Sequence, residues 1–539
     1  MAWGNPGPGS GSVVDTWVER LERNDATFCS LHILSFRRLS AADFVRLFTA
    51  IANNATLKEL GCSGHTLEPE VVDALVAMLV QNHTLRVLKI GHAEQFGQAP
   101  EAFHRVAQAL YANAGLRELD LEFKTLGMSN ASALRYLLAR PLGWDVLNLS
   151  RNQLNDACLD AIFTQLPLTP NDISTASTNA ASDAPTLPGL GILDLGDNAI
   201  SAQGVSLLCR WLGGQLPGVL PPAVRVLKLS YNPLRAEGID TLCRLFDHAH
   251  TVLEELWLSD TIITQEGVPV PEPDDSPTPG FHTDNSTDSG RTAPSQEQAI
   301  QTIMQNISTQ AQQGSTGSSV SAFPPSHAAL WYDIGRSLNK SRTLTLLNLD
   351  RCLLKDSGMG GLLQGLAGSL QLKTLSLRDN GLSDISAHML SRLLTADPTD
   401  ARLPLCQLDR LDLSENHITP AGFADLLQCP QLHELVLYAN RVHLGGPMSG
   451  LGNGDSADHL HRLDLSCNDI TPAGFQWFCD ALGAGLLHAL KTLEVAGNAS
   501  HDEMDAWDTV VQALHTKRPD VHVFWKRDAN AIPPTPQQS

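Results

Sequence analysis

Residues 411–423 read LDLSENHITPAGF, and residues 463–475 read LDLSCNDITPAGF. Two nearly identical runs in one chain signal a repeat, and the frame around them, L-x-x-L-x-L-x-x-N, recurs in both directions. It stands as LDRLDLSEN (408–416), LHELVLYAN (432–440), LHRLDLSCN (460–468), LKTLSLRDN (372–380), LGILDLGDN (190–198), VRVLKLSYN (224–232), WDVLNLSRN (144–152) and LKTLEVAGN (490–498). Weaker copies are LKELGCSGH (57–65), LRVLKIGHA (85–93), LRELDLEFK (116–124), LEELWLSDT (253–261) and LTLLNLDRC (344–352), with a degenerate first copy near 28–36. The starts 57 and 85, 116 and 144, 344 and 372, and 432 and 460 all lie 28 residues apart.

The alternating L-x-L core has the period of a strand. In the ITPAGF that follows, Thr419 and Thr471 suit a helix N-cap, and Pro420 and Pro472 suit the first turn. Apolar residues at three-and-four spacing then predict a helix, as in Val71, Leu75, Met78 and Leu79. One strand and one helix cannot bury their apolar faces alone, so the units must stack. The predicted fold is an α/β solenoid, with a parallel inner sheet and outer helices. The frame asparagines (Asn152, Asn198, Asn232, Asn380, Asn416, Asn440, Asn468, Asn498) can each meet a donor and an acceptor of the turning backbone, and they predict an internal ladder.

Outside the repeats, residues 1–27 read as a Gly/Pro-rich tail followed by a capping helix at 13–23. Repeats are expected over 28–264, with a polar insertion near 169–186, and again over 326–500. Between them, 265–325 is acidic and Pro/Ser/Thr-rich and predicts disorder, with an amphipathic helix at 295–313. Residues 501–530 form a C-terminal cap with a last strand in DVHVFWK (520–526), and 531–539 a loose tail.

Composition narrows the function. Among 539 residues the net charge is −21, which disfavours nucleic acid and anionic membranes and favours proteins with a basic patch. The N-terminus has no basic segment followed by an apolar run, and no stretch nears 18 apolar residues. The ten cysteines form no CxxC pair and read as buried thiols of a reducing, cytoplasmic compartment. No phosphate-binding, nucleophile-elbow or zinc-protease motif occurs, so no enzyme, cofactor, metal or small-molecule substrate is expected. His459 and His461 form a pair with no evident third metal ligand, and Cys352, at the asparagine position, reads as structural.

The third, fifth and seventh frame positions should face outward from the sheet. They give a mixed wall that leans acidic and carries Trp257, Glu255 and nearby Tyr231, then Arg378, Asp412, Val436, Tyr438 and Asp464. These eight are the candidate partner-binding residues, with exposed aromatic and apolar groups as anchors.

The frame, the helix and the 28-residue period resemble the ribonuclease-inhibitor type of leucine-rich repeat over roughly residues 28–500. That resemblance implies a horseshoe with a protein-binding inner face. It leaves open a scaffold or adaptor, a structural subunit of a ciliary or cytoskeletal assembly, and a GTPase activator resembling the Ran-activating proteins. The neutral, proline-rich tail departs from the acidic tail of those activators. The repeat sets no oligomeric state.

Overall fold

The computed structural model describes residues 13–166, 168–169, 189–248, 251–261, 327–366, 371–395, 407–444 and 459–526. The tail at 1–12, nearly all of the polar stretch 169–186, the insertion 265–325 with its helix at 295–313, and the tail 531–539 lie outside these residues. The chain divides into two compact units, Met1–Trp257 and Leu258–Ser539.

In the first unit the strands are β1 (Ser30–His32), β2 (Glu59–Ser63), β3 (Val87–Gly91), β4 (Glu118–Asp120), β5 (Trp144–Asn148), β6 (Gly189–Asp194), β7 (Ala223–Lys228) and β8 (Glu255–Trp257). Each pairs in parallel with the next in chain order. The second unit repeats the scheme with β9 (Leu346–Asn348), β10 (Thr374–Ser376), β11 (Arg410–Asp412), β12 (Glu434–Val436), β13 (Arg462–Asp464), β14 (Thr492–Glu494) and β15 (His522–Phe524). The fold is an α/β leucine-rich-repeat solenoid.

Register follows the leucines. The central leucine of each frame pairs with its counterpart, Leu31 through Leu60, Leu88, Leu119, Leu147, Leu193 and Leu227 to Leu256. All eight are buried, as are Leu347, Leu375, Leu411, Leu435, Leu463 and Leu493 in the second unit. A slip by one residue would turn this spine outward, so burial fixes the register.

Helices close each unit, and their caps are local. Ser40 and Asp43 form a reciprocal capping box on helix Ala41–Ala52. Thr419 and Thr471 cap helices Pro420–Leu426 and Pro472–Gly483 by accepting from Ala421 N and Gly474 N. Caps also link neighbouring repeats. Asp156 accepts from Ser201 N, Asp356 from Ser383 N and Ser386 N, and Asp384 from Thr419 N and Gly422 N.

The asparagine ladder is present. Asn416 Nδ2 donates to Leu377 O and Leu413 O at 3.0 Å, and its Oδ1 accepts from Asn380 N and Leu382 N at 3.0 Å. Asn152, Asn198, Asn232, Asn380, Asn440, Asn468 and Asn498 bond in the same sense. In weaker copies other side chains take the post. His65 Nε2 lies 3.2 Å from Ile33 O, Lys124 Nζ donates to Glu122 O at 2.8 Å, and Thr261 and Cys352 both donate to Leu258 O. Burial pushes the Cys352 thiol up to about 12, as expected of an inert structural group.

A second ladder runs where helices return to strands. Asn54, Asn82 and Asn113 donate to carbonyls of the preceding turn and accept from backbone N–H groups two and three residues on. Arg140 continues it, 1% exposed, donating to Asn113 O, Leu116 O and Gly143 O. Burial lowers its pKa to about 10. Asn82, in the triplet Asn82-His83-Thr84, is therefore a buried structural residue.

Candidate protein-binding face

Alternation along each strand turns the third and fifth frame positions away from the leucine spine. Most fifth-position acids turn out to serve the backbone. The side chains of Asp120, Asn148, Asp194, Asn348, Asp412 and Asp464 each accept from the N–H two residues on, at 2.8–3.1 Å. This closes the turn after the strand, as Asp and Asn do in Asx turns. Burial raises the carboxyl pKa of Asp194 and Asp464, partly offset by these bonds.

That changes the standing of two expected site residues. Asp412 and Asp464 are committed to the turn, and Asp464 is only 9% exposed. Val436, expected as an exposed apolar group, is 7% exposed. It sits in register between Asp412 and Asp464, and a short side chain between paired strands ~4.8 Å away on each side is shaded by its neighbours.

The other candidates fall into two groups. In the second unit the Arg378 guanidinium binds the Glu415 carboxylate and lies 6.0 Å from the Tyr438 ring centre. That partnership lowers the Glu415 pKa. Beside it, Arg410 reaches Glu434 at 3.2 Å, and Arg462 reaches Glu434 at 3.8 Å and Glu494 at 2.8 Å. The acidic lean read from the sequence is thus largely neutralised here by the same face.

In the first unit Trp257 is half-buried and held on two sides. Its Nε1 donates to Glu255 Oε2 at 3.0 Å, and Lys228 Nζ stands 5.6 Å from the ring centre. Lys228 also lies 3.9 Å from Asp194. Tyr231, 49% exposed, occupies the turn after β7 with φ 60°. Residues just before the ladder position adopt this left-handed conformation in most copies, including Phe123, Arg151 and Asp197. Phe123, Arg151 and Asp197 interact in sequence, by a 5.1 Å cation–π contact and a 3.2 Å ion pair.

A feature absent from the expected set lies on the same face. At the third position of three successive frames stand Val146, Ile192 and Val226. They are in register on β5, β6 and β7 and half-buried. Their signal was legible as V, I and V in a column where polar groups suffice, but it shows as a stripe only after the strands are aligned. Glu118 and Glu255 bracket the row on β4 and β8.

Elsewhere, His433 Nδ1 lies 2.6 Å from Asp409, and its ring centre is 5.0 Å from His461 and 6.5 Å from His459. The fold thus adds His433 and Asp409 to the expected histidine pair. Even so, among the described residues no three His, Cys, Asp or Glu groups are placed to hold a metal ion. Among them, too, no helix is long and apolar enough to cross a membrane.

A family model described as "Leucine Rich repeat" matches residues 190–209 and 458–476. Ribonuclease inhibitor of Sus scrofa is 29% identical over 161 residues, covering 29% of this chain and 33% of that protein. Ribonuclease inhibitor of Mus musculus is 28% identical over 193 residues, covering 31% of this chain and 42% of that protein. Each match thus spans less than half the length of the relative. Among solved structures, an internalin of Listeria monocytogenes aligns over 83% of this chain and 89% of its own, at 12% identity and a TM-score of 0.33. The repeated frame, its asparagine ladder and the parallel leucine spine, with the matching repeat model, make this chain a leucine-rich-repeat protein, and its repeats are similar to those of the two ribonuclease inhibitors.

Proposed function

We propose that the chain is a non-catalytic scaffold or adaptor that binds a protein partner through the strand face of its repeats. Leucine-rich repeats generally mediate protein binding, and the frame leucines and asparagines here are consumed by the fold. The observation that carries the reading is Trp257: a half-buried aromatic group fixed by Glu255 and Lys228 on a face where a small polar residue would satisfy the sheet. Pre-fixed aromatic groups lose little entropy on contact and often dominate binding energy. Tyr231 extends this surface, and Arg378 with Tyr438 offers a second contact. The charge of −21 favours a partner with a basic patch. Nine free cysteines among the described residues suit a reducing cytoplasm.

The test is proximity labelling of the full chain in its native cell, followed by capture of the labelled partner with purified protein. Wild type should retain the partner, and Trp257→Ala with Lys228→Glu should weaken retention at least tenfold. Undiminished retention by that variant, and by Tyr438→Ala with Arg378→Glu, would sink the reading.

A further inference from the structure

The stripe formed by Val146, Ile192 and Val226 has a shape that narrows the class of partner. Its three β-branched side chains stand side by side on the solvent face, with Leu147, Leu193 and Leu227 fully buried on the other. The Asn148–Asp194–Lys228–Trp257 row runs parallel as a wall. Each end of the stripe carries a half-buried carboxylate, Glu118 and Glu255, and among the described residues neither has a cation within ion-pair distance.

We propose that this stripe docks one amphipathic helix of a protein partner, laid across the strands, with a basic residue at each end of its apolar face. This deepens the binding reading given above and rests on it. The spacing selects the helix. Adjacent strands lie ~4.8 Å apart, so the three apolar side chains recur at that interval. A helix presents one face every ~5.4 Å, turn by turn, while an extended chain repeats a face only every ~6.6 Å. Apolar residues at i, i+3 or i+4, and i+7 can therefore meet Val146, Ile192 and Val226 in turn. From Glu118 to Glu255 is four strand spacings, ~19 Å, or roughly 13 residues of helix at ~1.5 Å each. A Lys or Arg at each end of that span meets an unneutralised carboxylate. An acidic end would meet repulsion.

The probe is a phage-displayed library of 20-residue helix-forming peptides, selected on the immobilised full-length chain. Enriched clones should carry apolar residues at successive turns, with Lys or Arg on both sides. Their affinity should fall at least tenfold for Val146→Thr with Val226→Thr, which keeps β-branching and removes apolar contact, and for Ile192→Asp. Glu118→Lys with Glu255→Lys should shift enrichment to acid-ended peptides. Thermal unfolding of each variant controls for folding. The proposal falls if no peptide enriches, if the enriched peptides lack basic ends, or if they bind the Thr variant undiminished. If the native partner is still lost with Trp257→Ala and Lys228→Glu in any of those cases, the strand-face reading stands without the helix.

Discussion

At the residue scale, the same side-chain types do opposite work depending on frame position. An asparagine at the ninth position is a buried bridge. An aspartate at the fifth is a turn-closer that looks, in sequence, like a binding group. Asn416→Ala would strip the bonds from Asn380 N and Leu382 N, both in the interior. It should cost about 3 kcal/mol in urea unfolding, because buried unsatisfied groups carry a full desolvation penalty. Cys352→Ala, removing one weak sulfur donor, should cost less. Asp464 gives a pH-dependent outcome. Burial raises its folded pKa, so the group favours folding below the unfolded value and loses that contribution as pH rises through the folded value. Asn keeps the acceptor, as Asn148 and Asn348 show in their own repeats. Asp464→Asn should therefore match or exceed wild-type melting temperature at pH 7, and the gap should shrink as pH falls toward 4. A gap that widened on acidification would contradict this. The asparagine bridge and the structural Cys352 were legible from the frame, but the role of Asp464 was not, because an outward Asp and a turn-closing Asp are spelled alike.

At the element scale, strands and helices were readable because their periods differ and their caps are local, as at Thr419 and Thr471. Helix-to-helix approach was not. Helix His327–Leu338 packs against Lys355–Gly365 so closely that a Cβ on Gly361 would stand 2.1 Å from Ala328 O, and one on Gly365 2.2 Å from Tyr332 O. A helical glycine normally costs about 1 kcal/mol against alanine. Here the neighbouring backbone reverses the sign. Gly361→Ala should destabilise the second unit by about 2 kcal/mol, despite the gain in helix propensity, since the obstacle is main chain and overpacking typically costs that much. Chemical denaturation followed by circular dichroism measures it, and a stabilised variant would refute the packing argument. The sequence contains these glycines plainly, but the contact joins two helices across an intervening strand, and no local pattern marks it.

At the scale of the whole molecule, each repeat leans on its neighbours, so protection should follow depth in the stack. Hydrogen exchange is expected fastest at β15, whose three residues are only partly covered, and slowest around β11, between paired neighbours on both sides. Uniform exchange across the second unit would argue against nearest-neighbour coupling. The leucine period by itself determined the architecture: spacing fixes which side chains point inward, and only stacking buries them. The asparagine column followed from the same logic, since every turn needs the same bridge. Tertiary structure alone decided which outward residues stay available. Neutralisation of the arginines by Glu434 and Glu494 and the alignment of Val146, Ile192 and Val226 depend on contacts between residues two dozen or more positions apart. Local sequence sets what a side chain can do, and the neighbours brought by the stacked strands set what remains for a partner.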